Sequence, residues 1–379
     1  MLTALLNARI LTDAGFVDDR AVLVQDGRIL SLPDAKDRSV MEAARRIDLG
    51  GQMLLPGFID TQVNGGGGVL FNDQPTVEAI RTIGAAHRRF GTTGFLPTLI
   101  SDDLERIGEA LAATERAMGA VPGVLGVHIE GPFINERRKG IHNASKFRLL
   151  DERAFQLLTS LSKGRTLVTL APEKTNPAMI ARLVGAGIIV AAGHTDGTYE
   201  QIIDALGAGM TGFTHLFNAM SPLGSRQPGA VGAALDHEDA WCGIIVDGKH
   251  VAPVTLRVAL RTKGAARLML VTDAMPNVGV AAKAFLLQGR QIKVLGGVCV
   301  DEDGVLAGSD LDMAGAVRNS VKLLGVDLPT AVAMASHVPA EFLGLGHELG
   351  KIAPGYRADM VMTTDSIEVL ESWIGGEPS

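Results

Sequence analysis

Four stretches of this chain each end an apolar run with an acid or an imidazole: "HIEGP" (128–132), "AAGHTD" (191–196), "FTHLFNAM" (213–220) and "LVTDAMP" (270–276). A fifth, "DTQVNGGGG" (60–68), places Gln62 and Asn64 two apart, so both side chains leave a strand on the same face. Asp247 closes the run "GIIVD". Read in order, these strand ends offer Gln62 and Asn64, then Glu130, His194, His215, Asp247 and Asp273. Two histidines and one carboxylate from three strands make a three-ligand catalytic zinc set that keeps a fourth position for water. Asp273, on the last strand, is then a candidate base. A lone histidine at a strand end ordinarily reads as a hydrogen-bonded structural residue. His128, two before Glu130 and deeper on the same face, is read that way.

The elements that must carry these residues recur with one rhythm. "LLPGFID", "TGFLPTLI", "VLGVHIEG", "TLVTLAPE", "IIVAAGH", "TGFTHLF", "CGIIVDG" and "LMLVTDA" are eight β-like runs, separated by amphipathic segments such as "TVEAIRTIGAAHRRFG". Nearly all-apolar strands alternating with helices imply a parallel sheet covered on both faces. Eight of them predict an α/β fold, a (β/α)8 TIM-like barrel whose site lies at the C-terminal strand ends. The two chain ends read instead as short strands and turns, which predicts a small β-sandwich domain from residues 1–52 and 347–379 around a barrel of residues 53–346. A hairpin-like piece within residues 275–310 follows the eighth run and is placed to fold over the barrel mouth.

Composition narrows the classes. In 379 residues, 46% are hydrophobic and 20% charged, which fits a globular chain with no disordered tail. No apolar run approaches the ~20 residues that span a bilayer, and "MLTALLNARILTDAG" lacks the basic start of a signal peptide. Cys242 and Cys299 are the only cysteines, too few for a disulfide framework or a thiolate metal site. The expectation is a cytoplasmic protein. A net charge of −7 argues against nucleic acid and anionic membrane as partners, while a small anion needs only a local cluster of donors.

Further stretches complete a pattern: "LLPGFIDTQVNGGGG", "GTTGFLPTLI", "GVHIEGPFIN", "KGIHN", "GHTDGTYEQ", "THLFNAMSPL", "RQPGAVGAAL", "DGKHV", "LVTDAMP" and "LAGSDLDMAGAVRN". On these residues the chain resembles the N-acetylglucosamine-6-phosphate deacetylase family, a branch of the amidohydrolase superfamily. "HIEGPF" and "THLFNAM" are the most specific blocks. The resemblance implies one divalent metal ion per subunit, held by Glu130, His194 and His215, with zinc expected and iron(II) or another divalent ion as alternatives. It makes Asp273 the catalytic acid/base and His142 the group that contacts the substrate carbonyl. Ile141, His142, Asn218, Ala219, Arg226, Asp247, His250, Leu306, Ala307 and Gly308 form the implied substrate-binding set for a small amino-sugar phosphate. The implied assembly is a homodimer, with Arg226 and His250 reaching the neighbouring site.

Within that superfamily some members carry His-x-His on the first strand and bind two metals, and others carry Gln-x-Asn and keep one. Gln62 and Asn64 place this chain with the second group, as amides that order water beside the metal. Asp312 departs from the threonine of many relatives and reads as a cap for the following helix. Arg226, in the Gly/Pro-rich "GSRQPG", carries a guanidinium suited to phosphate, though a loop arginine is ordinarily just solvated. The "GGGG" run has no GKS/T after it and reads as a flexible loop, not a nucleotide cradle. The reaction implied is hydrolysis of an N-acetyl group. A related hydrolase acting on another N-acyl sugar or a cyclic amide, and a catalytically silent sugar-phosphate sensor, are the alternatives.

Overall fold

The computed structural model describes residues 1–379. Eight parallel strands form one sheet in chain order: β1 Phe58–Val63, β2 Thr92–Ile100, β3 Gly126–Glu130, β4 Arg165–Leu170, β5 Ile189–Ala192, β6 Gly212–Phe213, β7 Trp241–Ile244 and β8 Leu268–Leu270. Every residue of β1, β2 and β3 is buried, as a sheet covered on both faces requires. The ring closes just beyond β8. The Asp273 N–H donates to the Gln62 carbonyl at 3.0 Å, the Asn64 N–H donates to the Ala274 carbonyl at 3.0 Å, and Val63 bridges Ala274 in parallel register. The Thr272 hydroxyl and N–H both donate to the Asp60 carboxylate. This is the expected (β/α)8 barrel, and the eight apolar runs supply its eight strands.

Helices follow the strands with ordinary start signals. In Val77–Arg88, Ala79, Ile80, Ile83, Ala86 and His87 form the buried face, and the Thr76 hydroxyl accepts from the Ala79 N–H at 3.1 Å. The Thr198 and Gln201 side chains close a reciprocal capping box at the start of Tyr199–Gly207. Asp312 caps Met313–Asn319 by accepting from the Gly315 N–H at 2.7 Å, the role its position implied.

One reading needs correction. The run "LLPGFID" reads as a single strand but spans parts of two. Met53–Pro56 pairs with Arg9–Thr12 and Met360–Thr363 in a six-stranded sheet built from both chain ends, and only Phe58–Val63 enters the barrel. The handover is at Gly57, where a Cβ would sit 2.0 Å from Thr93 Oγ1, so no side chain fits. A four-stranded sheet faces the six-stranded one. Leu5, Val22 and Ile29 from the first pack with Ile10, Leu54, Met360 and Trp373 from the second, making the two-layered β unit. After β8, the strands Ala284–Leu287, Arg290–Leu295, Val298–Val300 and Leu306–Ser309 form an antiparallel sheet. Its Leu287, Ile292, Cys299 and Ala307 pack on Leu70, Ile100 and Met275, which lays it over the barrel mouth as the sequence suggests. No helix is long and apolar enough to cross a membrane.

Candidate active site

Glu130, His194 and His215 meet in the mouth of the barrel, all buried. Glu130 Oε1 lies 3.1 Å from His194 Nε2 and 2.9 Å from His215 Nε2, and the two ring nitrogens are 3.1 Å apart. The Arg138 carbonyl lies 2.8 Å from His194 Nδ1. A carbonyl only accepts, so that nitrogen carries the ring proton and Nε2 turns its lone pair inward. A bare imidazole nitrogen, a second imidazole and a carboxylate oxygen aimed at one point fit a divalent cation. The backbone is held in the left-handed region at His194 (φ 49°), His215 (φ 34°) and Asp273 (φ 52°). Such conformations cost about 1–3 kcal/mol each and concentrate where function demands them.

The amides of β1 touch the carboxylates directly. Asn64 Nδ2 donates to Asp273 Oδ1 at 2.7 Å, and Gln62 Nε2 reaches the same oxygen at 3.1 Å and Glu130 Oε2 at 3.1 Å. The amide pair therefore ties the candidate base to the ligand cluster. Burial first, and the Glu130 charge second, push the Asp273 carboxyl up to about 6. With Oδ1 held by two donors, Oδ2 is the oxygen left to move a proton.

These groups line a cavity of about 250 Å³ shared by Ile141, His142, Asn218, Ala219, His250, Leu306 and Gly308. Gly308 (φ 64°) must be glycine, since a Cβ there would lie 2.7 Å from the Asp273 carbonyl. His142 is buried. Its Nδ1 lies 2.7 Å from the Ser101 hydroxyl and 3.3 Å from the Ser101 N–H, and its ring rests 4.3 Å from that of His194. Burial holds the His142 ring well below the usual imidazole range.

Other expected residues fall elsewhere. Ala307 packs into the core of the covering sheet. Asp247 turns from the cavity and holds His250, its Oδ2 lying 2.6 Å from the ring Nδ1. That contact holds His250 on the lining of its own chain's cavity. Arg226 lies in a second cavity with Arg138 and Gln227, and no lysine or arginine lines the first. His128 is structural, bonded to the Thr98 hydroxyl at 3.2 Å and the Thr169 hydroxyl at 2.7 Å. Sequence reading missed Ser101 and Glu173. Glu173 accepts from Asn135 Nδ2, the Thr195 hydroxyl and the Asp196 N–H, and so braces the loop that carries His194. Ser101 sits at a strand end like the other site residues, a position that could have flagged it.

A parallel barrel with two imidazoles and two carboxylates on its C-terminal rim defines the scaffold of a metal-dependent hydrolase. Residues 53–378 match the Amidohydrolase family, and the chain belongs to that family. It is 43% identical over 371 residues to an N-acetylgalactosamine-6-phosphate deacetylase of Shewanella sp. (strain ANA-3), covering 98% of this chain and 94% of that one. It is 34% identical over 383 residues to an N-acetylglucosamine-6-phosphate deacetylase of Haemophilus influenzae, covering 100% and 99%. The crystal structure of N-acetylglucosamine-6-phosphate deacetylase from Pasteurella multocida superposes with a TM-score of 0.96 at 34% identity, over the full length of both chains.

Proposed function

We propose that this chain hydrolyses the N-acetyl group of N-acetylglucosamine 6-phosphate to glucosamine 6-phosphate and acetate. The observation that carries the reading is the convergence of Glu130, His194, His215, Asp273 and His142 on one cavity of about 250 Å³. Glu130, His194 and His215 would hold one divalent ion per chain, zinc being the natural occupant of such a donor set. When bound, the ion supplies Lewis acidity that activates water and polarises a carbonyl. Asp273, its Oδ1 fixed by Asn64 and Gln62, takes the proton of the attacking water and returns it to the leaving amine. His142 donates to the oxyanion.

The 43% identical relative named for the galacto epimer favours a second reading, in which N-acetylgalactosamine 6-phosphate is the better substrate. A homodimer is supported by the apolar surface formed by Leu223, Val254 and Val258, exposed by 58%, 58% and 48%, on the segments beside Arg226 and His250. Two free, buried cysteines suit a cytoplasmic setting. Acetate release from both 6-phosphates and their unphosphorylated sugars tests the reading, alongside elemental analysis. One metal ion per active chain and a preference for a phosphorylated sugar are expected. Two ions per chain at full activity, or equal rates without the phosphate, would contradict it.

A further inference from the structure

We propose that Ser101 is a positioning residue that fixes the His142 imidazole as a hydrogen-bond donor toward the substrate carbonyl. The proposal rests on the hydrolase reading, in which His142 faces the acetyl oxygen. A backbone N–H can only donate, and that of Ser101 lies 3.3 Å from His142 Nδ1. Were Nδ1 protonated, two hydrogens would face each other along that line. The lone pair therefore sits on Nδ1, the Ser101 hydroxyl at 2.7 Å turns its proton to it, and the single ring proton is on Nε2. Neighbouring imidazoles are set the other way, since His194 meets the Arg138 carbonyl at Nδ1 and His250 meets the Asp247 carboxylate. His142 is thus the ring prepared to donate at Nε2, where His194 turns a bare Nε2 inward.

Ser101 is itself rigidly held. It is fully buried immediately after β2, and its carbonyl accepts from Gln288 Nε2 at 3.0 Å, a bond from a turn of the covering sheet. Opposite stands Gly131, where a Cβ would lie 2.3 Å from Ser101 Oγ, so the hydroxyl has been given room that a side chain would take. The test is long-range proton–nitrogen NMR of the zinc-loaded, histidine-labelled chain, with the His142 signals assigned by His142→Gln. The wild-type ring should show a bare Nδ1 and a protonated Nε2. Ser101→Ala keeps the backbone N–H at 3.3 Å but loses the shorter 2.7 Å hydroxyl bond, so Nδ1 should become partly protonated and kcat should fall by about 10- to 100-fold, as loss of an orienting partner does, with KM little changed. Ser101→Cys keeps a weak donor and should recover part of both signals, and it carries the comparison if the alanine variant does not fold. A wild-type ring protonated on Nδ1, or an unchanged tautomer and kcat in Ser101→Ala, overturns the proposal. The tautomer is read without turnover, so an inactive chain would refute the hydrolase reading and leave Ser101's hold on the ring to the spectrum. Full turnover in His142→Ala would remove the ring's role toward the carbonyl.

Discussion

Asp273 carries the sharpest residue-scale expectation. Its carboxylate is fixed on one oxygen by two amide donors, and its backbone N–H is tied to Gln62 across the barrel closure. Asp273→Asn is nearly isosteric and keeps that backbone bond, so fold and metal content should persist. An amide cannot take the water's proton, and turnover should fall by ~10²–10⁴-fold. Metal analysis and acetate release on the same preparation check this, and substantial activity at full metal content would move the base elsewhere. Glu130, His194, His215 and Asp273 were legible because each interrupts an apolar run at the same end of a strand, whereas His142 and His250 lie in loops and were read from the family resemblance alone. Ser101 and Glu173 were not legible. Ser101 is unremarkable by type and Glu173 lies in the turn beyond β4, and their roles depend on partners such as His142, 41 positions from Ser101, which only the folded chain brings near.

At the scale of elements, the barrel's eight strands could be read from apolarity and spacing, but the split at Gly57 could not. "MLLPGFI" is apolar throughout because both halves are buried, in different sheets, and burial alone does not say where a chain changes sheet. The Gly-rich segment after β1 was also misjudged as flexible. His87, at the end of Val77–Arg88, reaches the Gly65 carbonyl at 2.9 Å, and a Cβ at Gly66 would lie 2.9 Å from its ring. The glycines thus let the chain close against a buried imidazole. Burial pushes His87 down to about 4, so the folded state leaves it neutral where the unfolded chain, near 6.5, takes up a proton. Between those values the unfolded state binds more protons, and this group's contribution to stability falls as pH falls. At pH 5 the loss is about 2 kcal/mol. His87→Gln can still donate to Gly65 and does not titrate. Urea unfolding at pH 7 and pH 5 should show wild type losing that much more stability than the variant; equal losses would mean that the ring is protonated in the fold.

The whole molecule poses the phosphate problem. One chain supplies the ligand cluster, Asp273 and His142, yet its cavity is lined by neither lysine nor arginine. Arg226 lines a second cavity in a loop beside the exposed apolar surface of Leu223, Val254 and Val258. If, as proposed, a two-fold dimer forms across that surface and carries each Arg226 to the other chain's site, two equivalent sites are completed. Arg226→Ala should then raise KM for the 6-phosphate and hardly change turnover of an unphosphorylated N-acetyl sugar. A charged hydrogen bond of ~1.5–3 kcal/mol corresponds to roughly 10- to 150-fold in kcat/KM. Geometry across the interface has its own test. In a heterodimer of Arg226→Ala with Asp273→Asn chains, one site joins a wild-type Asp273 to a wild-type Arg226, and the other has neither. Mixing the two weak variants under conditions that exchange subunits should restore activity at one site of each heterodimer. If confirmed heterodimers show no recovery, Arg226 acts within its own chain or not at all.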